Sequence, residues 1–213
     1  MKKVLFTVIL AAVILLCSDS YAQFKFRIGP RVGVNIANLS FDPDFQEGID
    51  KSSRLGFKFG ALAELGFAPM FAVQIEPMYV MKGAKLEAQG AKRNINLSFI
   101  EIPILFKVKF VAGSVTPYVF AGPDIGLLLS SNYEDEFNGQ TEETDIKDIT
   151  SSIDFAIDLG AGVGFAVGPG AVIMFDVRYA LGLSNLNDDP NDTQTTIKSS
   201  GIQIVVGAAF TLN

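Results

Sequence analysis

The 213-residue chain has no histidine and no tryptophan, and its one cysteine, Cys17, lies close to the N-terminus. Without histidine the usual general base is missing, and with it the Ser-His and Cys-His nucleophile arrangements and most transition-metal sites. With its thiol confined to the first residues, the body of the chain can form neither a disulfide nor a thiolate nucleophile. A net charge of −6 and the absence of any basic stripe interleaved with aromatics exclude a nucleic-acid partner. Although 49% of the residues are hydrophobic, no apolar run beyond the N-terminal segment approaches the roughly 20 residues a membrane helix needs.

The N-terminus reads as an export signal. Met1, Lys2 and Lys3 precede an apolar run from Val4 to Cys17, then Ser18-Asp19-Ser20-Tyr21-Ala22, with small residues three and one before a cut placed after Ala22. The apolar run is too short to span a bilayer. Leu16 is too large for the position preceding an acylated cysteine, which disfavours a lipoprotein reading of Cys17. Residues 1–22 are therefore expected to be a cleaved signal peptide and 23–213 a single domain, since no Pro/Ser-rich linker divides the rest.

Apolar residues recur at every second position, the period of a strand with two unlike faces. In FIEIPILFKVKF, residues 99–110, Ile100, Ile102, Ile104, Phe106, Val108 and Phe110 hold the even positions, while Glu101, Pro103, Lys107 and Lys109 fall on odd ones. Seven further segments repeat the pattern, among them FKFRIGPRVGVNI, LGFKFGALAELGF, FAVQIEPMYVMK and IDFAIDLGAGVGFAV. VTPYVFAGPDIGLLL is less regular, with Tyr118, Phe120 and Leu128 sharing a face with Gly122, Asp124 and Gly126.

The connections alternate in length. Ala68-Pro69-Met70, Val111 to Ser114 and Gly168-Pro169-Gly170 are tight, whereas residues 38–54, 83–95, 130–152 and 184–199 are long and polar. Short periplasmic turns and long extracellular loops are the asymmetry of an outer-membrane barrel. The predicted fold is therefore all-β: an eight-stranded antiparallel transmembrane β-barrel with up-and-down topology. A secreted lipocalin-like barrel also has eight strands, but its apolar face points inward. Here that face would overfill so narrow a bore, or form a very large exposed patch if it met water.

With the apolar parity toward lipid, the other parity lines the lumen. Its bases are Arg27, Arg31, Lys58, Lys82, Lys107, Lys109 and Arg178, and its acids are Glu64, Glu76, Glu101, Asp124, Asp154, Asp158 and Asp176. Equal numbers of buried opposite charges predict an interlocked salt-bridge network rather than a field selecting one ion. Glycines on the same face, such as Gly122, Gly160, Gly162, Gly164 and Gly207, leave room for the long side chains. Asp154 and Asp158 could in principle form an acid/base pair, but partnership with lumen cations is the favoured reading. A narrow pore for ions or small solutes is the alternative to a filled bore, and a lipid-modifying enzyme or protease a more remote one. Pro103 lacks the donor that its strand needs and predicts a bulge or a weakened ladder.

Loops three and four are acidic and loop two is basic. Asp188, Asp189 and Asp192 could chelate calcium, although their spacing matches no EF-hand loop, and a solvated loop is favoured. Cofactors are expected to be none, and the loops are available to a protein partner.

The blocks FIEIPILFKVKF, PYVFAGPDIGLLL, DFAIDLGAGVGF and VRYALGLSNL resemble the recurring E-I-P-x-L-x-K, P-Y-x-x-x-G-P, G-x-G and R-Y-x-x-G-L blocks of the PorT-like outer-membrane β-barrel family. The resemblance covers nearly all of the chain after residue 22. It implies an eight-stranded barrel in the outer membrane of a Gram-negative cell, in a family whose name-giving member is linked to protein secretion. It carries over no catalytic residue. The ending AAFTLN departs from the terminal aromatic common in such barrels, with Phe210 three residues short. The expected protein is a monomeric, non-enzymatic outer-membrane scaffold or accessory component bathed in outer-membrane lipid.

Overall fold

A computed structural model describes residues 24–44, 49–88, 91–137 and 140–212. The predicted signal peptide lies outside the described residues. One antiparallel sheet contains every strand: β1 (Lys25–Asp42), β2 (Asp50–Gly66), β3 (Phe71–Ile75), β4 (Met78–Ala88), β5 (Ala91–Lys109), β6 (Val115–Phe137), β7 (Gln140–Asp145), β8 (Ile153–Gly168), β9 (Ala171–Gly182) and β10 (Thr196–Leu212). A 3-10 turn at Lys147–Ile149 separates β7 from β8. No helix among the described residues is long and apolar enough to cross a membrane.

The sheet closes on itself. Strands adjacent in the chain pair, except β3 with β4 and β7 with β8, where β8 pairs with β6 instead, and β1 pairs with β10 from Phe26↔Leu212 to Asp42↔Thr196, closing the wall around the bore. Ten strands make eight staves. β3 and β4 are one stave in two pieces, sharing a continuous register against β5 (Ile75↔Ile104, then Met78↔Glu101). β7 pairs only with the outer part of β6, from Asn132↔Asp145 to Phe137↔Gln140, and extends the wall beyond the barrel.

The interruption of the third stave at Glu76–Pro77 accounts for Pro103. The Glu76 N–H donates to the Pro103 carbonyl at 3.1 Å, but Pro103 has no N–H to return. Pro77 likewise cannot donate to β2, although its carbonyl accepts from Ala61 N–H at 3.1 Å. The result is a weakened ladder without a bulge, because the β5–β6 register is the same at Pro103↔Asp124 and Phe106↔Ala121. The register shift lies higher, between Ser98 and Phe99, where Leu129 is the extra residue on β6. Past it the inward positions of β6 change from even to odd, from Leu128 to Ser131. Before it the parity holds, and the segment reads as irregular because Tyr118, Phe120 and Leu128 are apolar residues that face inward.

Three of the four long polar stretches are largely strand in the structure, the third through residues 130–137 of β6 and 140–145 of β7. Residues 38–42 and 50–54 belong to β1 and β2, and 83–88 and 91–95 to β4 and β5. Antiparallel pairing satisfies the backbone as well above a bilayer as within it, so the hairpins run on past the apolar band. The exterior follows the sequence parity: Val32 and Phe57 are 58% and 62% exposed, and Phe59, Phe106, Val119, Phe155, Val177 and Phe210 join them.

Candidate functional site

Every second residue of a stave points into the bore, so the lumen is built by the same alternation that coats the exterior. All fourteen charged residues assigned to the lumen face it. Twelve are buried; Arg27 and Lys109, at the end carrying the short turns, are partly exposed.

The charges form three tiers. Nearest the short turns, Glu64 accepts Arg27 at 2.9 Å, Lys107 at 3.1 Å and Lys109 at 3.4 Å. Lys107 also donates to Gln74 at 2.8 Å and stands 3.8 Å over the Tyr118 ring. In the central tier Glu76 joins Arg31 at 3.0 Å and Arg178 at 2.9 Å. Arg178 continues to Asp176 at 3.2 Å and Asp158 at 3.5 Å, and Asp176 also binds Arg31 and the Tyr118 hydroxyl. In the third tier Lys82 bridges Glu101 at 2.6 Å and Asp154 at 2.9 Å, while Lys58 reaches Glu101 at 3.4 Å and the Gln203 side-chain oxygen at 2.5 Å.

The Glu76–Arg178 pair has a special reach. Glu76 sits at the β3–β4 break and Arg178 on β9, four staves away around a ring of eight, so the bond crosses the full width of the bore. Arg31 and Glu76 are 0% exposed and Arg178 is 1% exposed. Two glycines make room for this tie. A Cβ on Gly207 would lie 2.4 Å from Arg31 Cδ, and one on Gly162 would lie 2.2 Å from Asp176 Oδ1 and 2.5 Å from the Tyr118 ring.

Apolar layers complete the filling. Leu62, Leu105, Tyr118, Phe120, Met174 and Ala209 pack together on the lumen side, as do Met78, Val80 and Val205. A third cluster of Leu39, Ala84, Leu97, Phe99, Leu128 and Leu186 lies toward the long loops. Leu186 comes from the β9–β10 connection, which is pinned inward by Ser151 N–H to the Leu186 carbonyl at 2.8 Å and Leu186 N–H to the Ile197 carbonyl at 2.7 Å. The charge pattern gave no sign of these layers. Their trace in the sequence is a set of apolar residues on otherwise polar faces: Tyr118, Phe120 and Leu128, and with them Leu62, Met78, Val80 and Leu105.

Asp154 and Asp158 do not form a free acid/base couple. Asp154 is held by Lys82 and by the hydroxyls of Ser184 at 2.6 Å and Ser199 at 2.8 Å, and Asp158 faces Arg178. Asp124 is the exception among the lumen acids: it is 1% exposed and neither carboxylate oxygen has a hydrogen-bond partner among the described residues. Glu101 and Asp158 act on it with like charge, opposed by Lys82 and Lys58. Asp124→Asn is therefore expected to keep or raise stability, by up to about 1 kcal/mol. Urea unfolding in uncharged detergent reads the change; a loss as large as that of a paired acid would mean that Asp124 has a partner.

Outside the bilayer the charges pair in water. Arg93 grips Asp135 through two bonds of 2.6 and 2.7 Å across the β5–β6 extension and lies 4.2 Å over the Tyr133 ring. Those hydrogen bonds hold the Asp135 carboxyl below its usual range. In the fourth loop Asp189 accepts Asn191 N–H at 2.8 Å and Asp192 accepts Thr195 N–H at 3.1 Å. Among the described residues no three acids are grouped to hold a metal ion.

A closed eight-stave wall with an apolar exterior and an ionic interior defines a transmembrane β-barrel of the outer-membrane type. Residues 21–188 match the outer membrane protein beta-barrel domain family, and the chain belongs to that family, whose place is the bacterial outer membrane. Among solved structures, Neisserial surface protein A is 15% identical with a TM-score of 0.51, over 88% of this chain and 97% of that one. The outer membrane protein OprG from Pseudomonas aeruginosa is 11% identical with a TM-score of 0.54, over 91% and 98% of the two chains. At such identities the likeness is one of fold. No curated protein matches the chain.

Proposed function

We propose that this barrel is a closed, non-enzymatic scaffold or accessory component of the outer membrane, working through its rim and loops rather than through its bore. The observation that carries this reading is the Glu76–Arg178 bond across the lumen, buried on all sides. An eight-stranded barrel is just wide enough to be filled by its own side chains. A solute would have to part this tie and displace the apolar layers on either side of it. Removing a buried ion from its partner costs several kcal/mol, too much for a freely conducting path.

The resemblance to the PorT-like family supports a secretion- or surface-related role for a monomeric barrel with an N-terminal export signal. The long loops offer a protein partner paired, ordered hairpins, among them β6–β7 with Glu134, Asp135, Glu136, Glu142 and Glu143. Reconstituted into planar lipid bilayers, the protein is expected to give no steady unitary current. Regular single-channel steps that scale with protein added would favour the conduit instead.

A further inference from the structure

Equal totals of lumen acids and bases hide an unequal distribution along the axis. The two upper tiers hold six acids, Glu76, Glu101, Asp124, Asp154, Asp158 and Asp176, against the bases Arg31, Lys58, Lys82 and Arg178. At the end with the short turns the balance reverses, and there the lumen opens into a cavity of about 440 Å³. Lys25, Arg27, Lys107 and Lys109 line this cavity against Glu64 alone, leaving an excess of three positive charges in a half-enclosed, partly apolar recess. Lys107 is 2% exposed, yet the Glu64 carboxylate that it binds is shared with Arg27 and Lys109.

We propose that this mouth binds a phosphate group carried on a small apolar body, entering from the periplasm. Low-dielectric walls lined by one sign of charge focus the field and concentrate counter-ions. A phosphate ester with close to two negative charges matches the excess better than a single carboxylate does. Arg27 offers the planar fork suited to phosphate oxygens, and Lys25 and Lys109 add mobile ammonium groups. Tyr118, Val172 and Met174 supply apolar wall for the rest of the ligand. The surplus of acids in the tiers above repels an anion that moves inward, so the ligand stays at the mouth.

Two sources share this chemistry: an anionic phospholipid of the periplasmic leaflet, and a soluble organic phosphate. The test uses the full barrel in an uncharged detergent, titrated by calorimetry with phenyl phosphate and with inorganic phosphate. Saturable 1:1 binding of phenyl phosphate is expected, tighter than that of inorganic phosphate and weakening with added salt. Arg27→Gln with Lys109→Gln should weaken it at least tenfold. Lys25→Gln, on an exposed residue whose loss does not threaten folding, should weaken it severalfold. Glu64→Gln, where it folds, should tighten it. Repeating the titration in nanodiscs separates the sources: loss of binding in phosphatidylglycerol but not in phosphatidylcholine assigns the site to a lipid headgroup, and binding in both assigns it to a free solute. No saturable binding in detergent, or binding unchanged by Lys25→Gln and by the Arg27/Lys109 pair of changes, would overturn the proposal.

Discussion

Glu76→Gln is expected to cost the barrel about 3 kcal/mol of unfolding free energy, from breaking a buried ion pair on one side. The substitution keeps the shape and removes the charge that Arg31 and Arg178 share at 3.0 and 2.9 Å. Both guanidiniums keep Asp176, and Arg178 keeps Asp158, which holds the loss near the low end for a buried pair. Adding Arg178→Gln to Glu76→Gln should cost less than the two separate changes together, because the Glu76–Arg178 bond that each change breaks can be lost only once. Urea titration in lipid vesicles measures all three variants. Additive losses would show that the bond across the bore contributes nothing of its own.

Val32→Arg should be similarly severe for a different reason. Val32 is 58% exposed, pairs with Phe59 on β2 and Val206 on β10, and lies near the middle of the apolar band. Arginine at the middle of a lipid-facing strand costs about 2–4 kcal/mol, falling toward 0–1 near the interface. Ser40→Arg, at the exposed outer end of the same strand, should therefore have little effect. The neighbouring residue Arg31 is already an arginine and is 0% exposed. Two adjacent positions thus have opposite requirements, as the period of a strand demands. If Val32→Arg were harmless in bilayers, the outer face would not be a lipid face.

Much of this was legible in the sequence because a barrel wall is repetitive. Parity alone separated Glu101 from Ile100 and Arg31 from Val32, and the alternation of tight and long connections set the direction of the staves. What parity could not supply was which lumen residues meet. Glu76 and Arg178 are about a hundred residues apart and touch only because eight staves close a ring, a consequence of stagger and not of spacing. The same ring geometry gathers Arg27, Lys107 and Lys109 on one carboxylate and leaves Asp124 without a hydrogen-bond partner among the described residues, so equal totals in the sequence gave no sign of the axial separation of charge. Leu186 escaped for another reason: its surroundings, SNLNDDPND, read as solvated loop, and only the hairpin ends that it touches draw it inward. The break at Glu76–Pro77 needed two strands to be seen together, since Pro77 and Pro103 matter jointly.

The most direct measurement is methyl NMR of the unaltered barrel in bilayers with two paramagnetic agents, one dissolved in the lipid tails and one a water-soluble gadolinium chelate. Methyls of Val32, Leu55 and Ile104 should broaden with the lipid agent and not with the chelate, and those of Leu62 and Leu105, 2% and 1% exposed, with neither. Broadening of Leu62 and Leu105 by the aqueous agent would show an open, water-filled bore and contradict the closed lumen. Broadening of Val32 and Ile104 by that agent would contradict the membrane barrel itself.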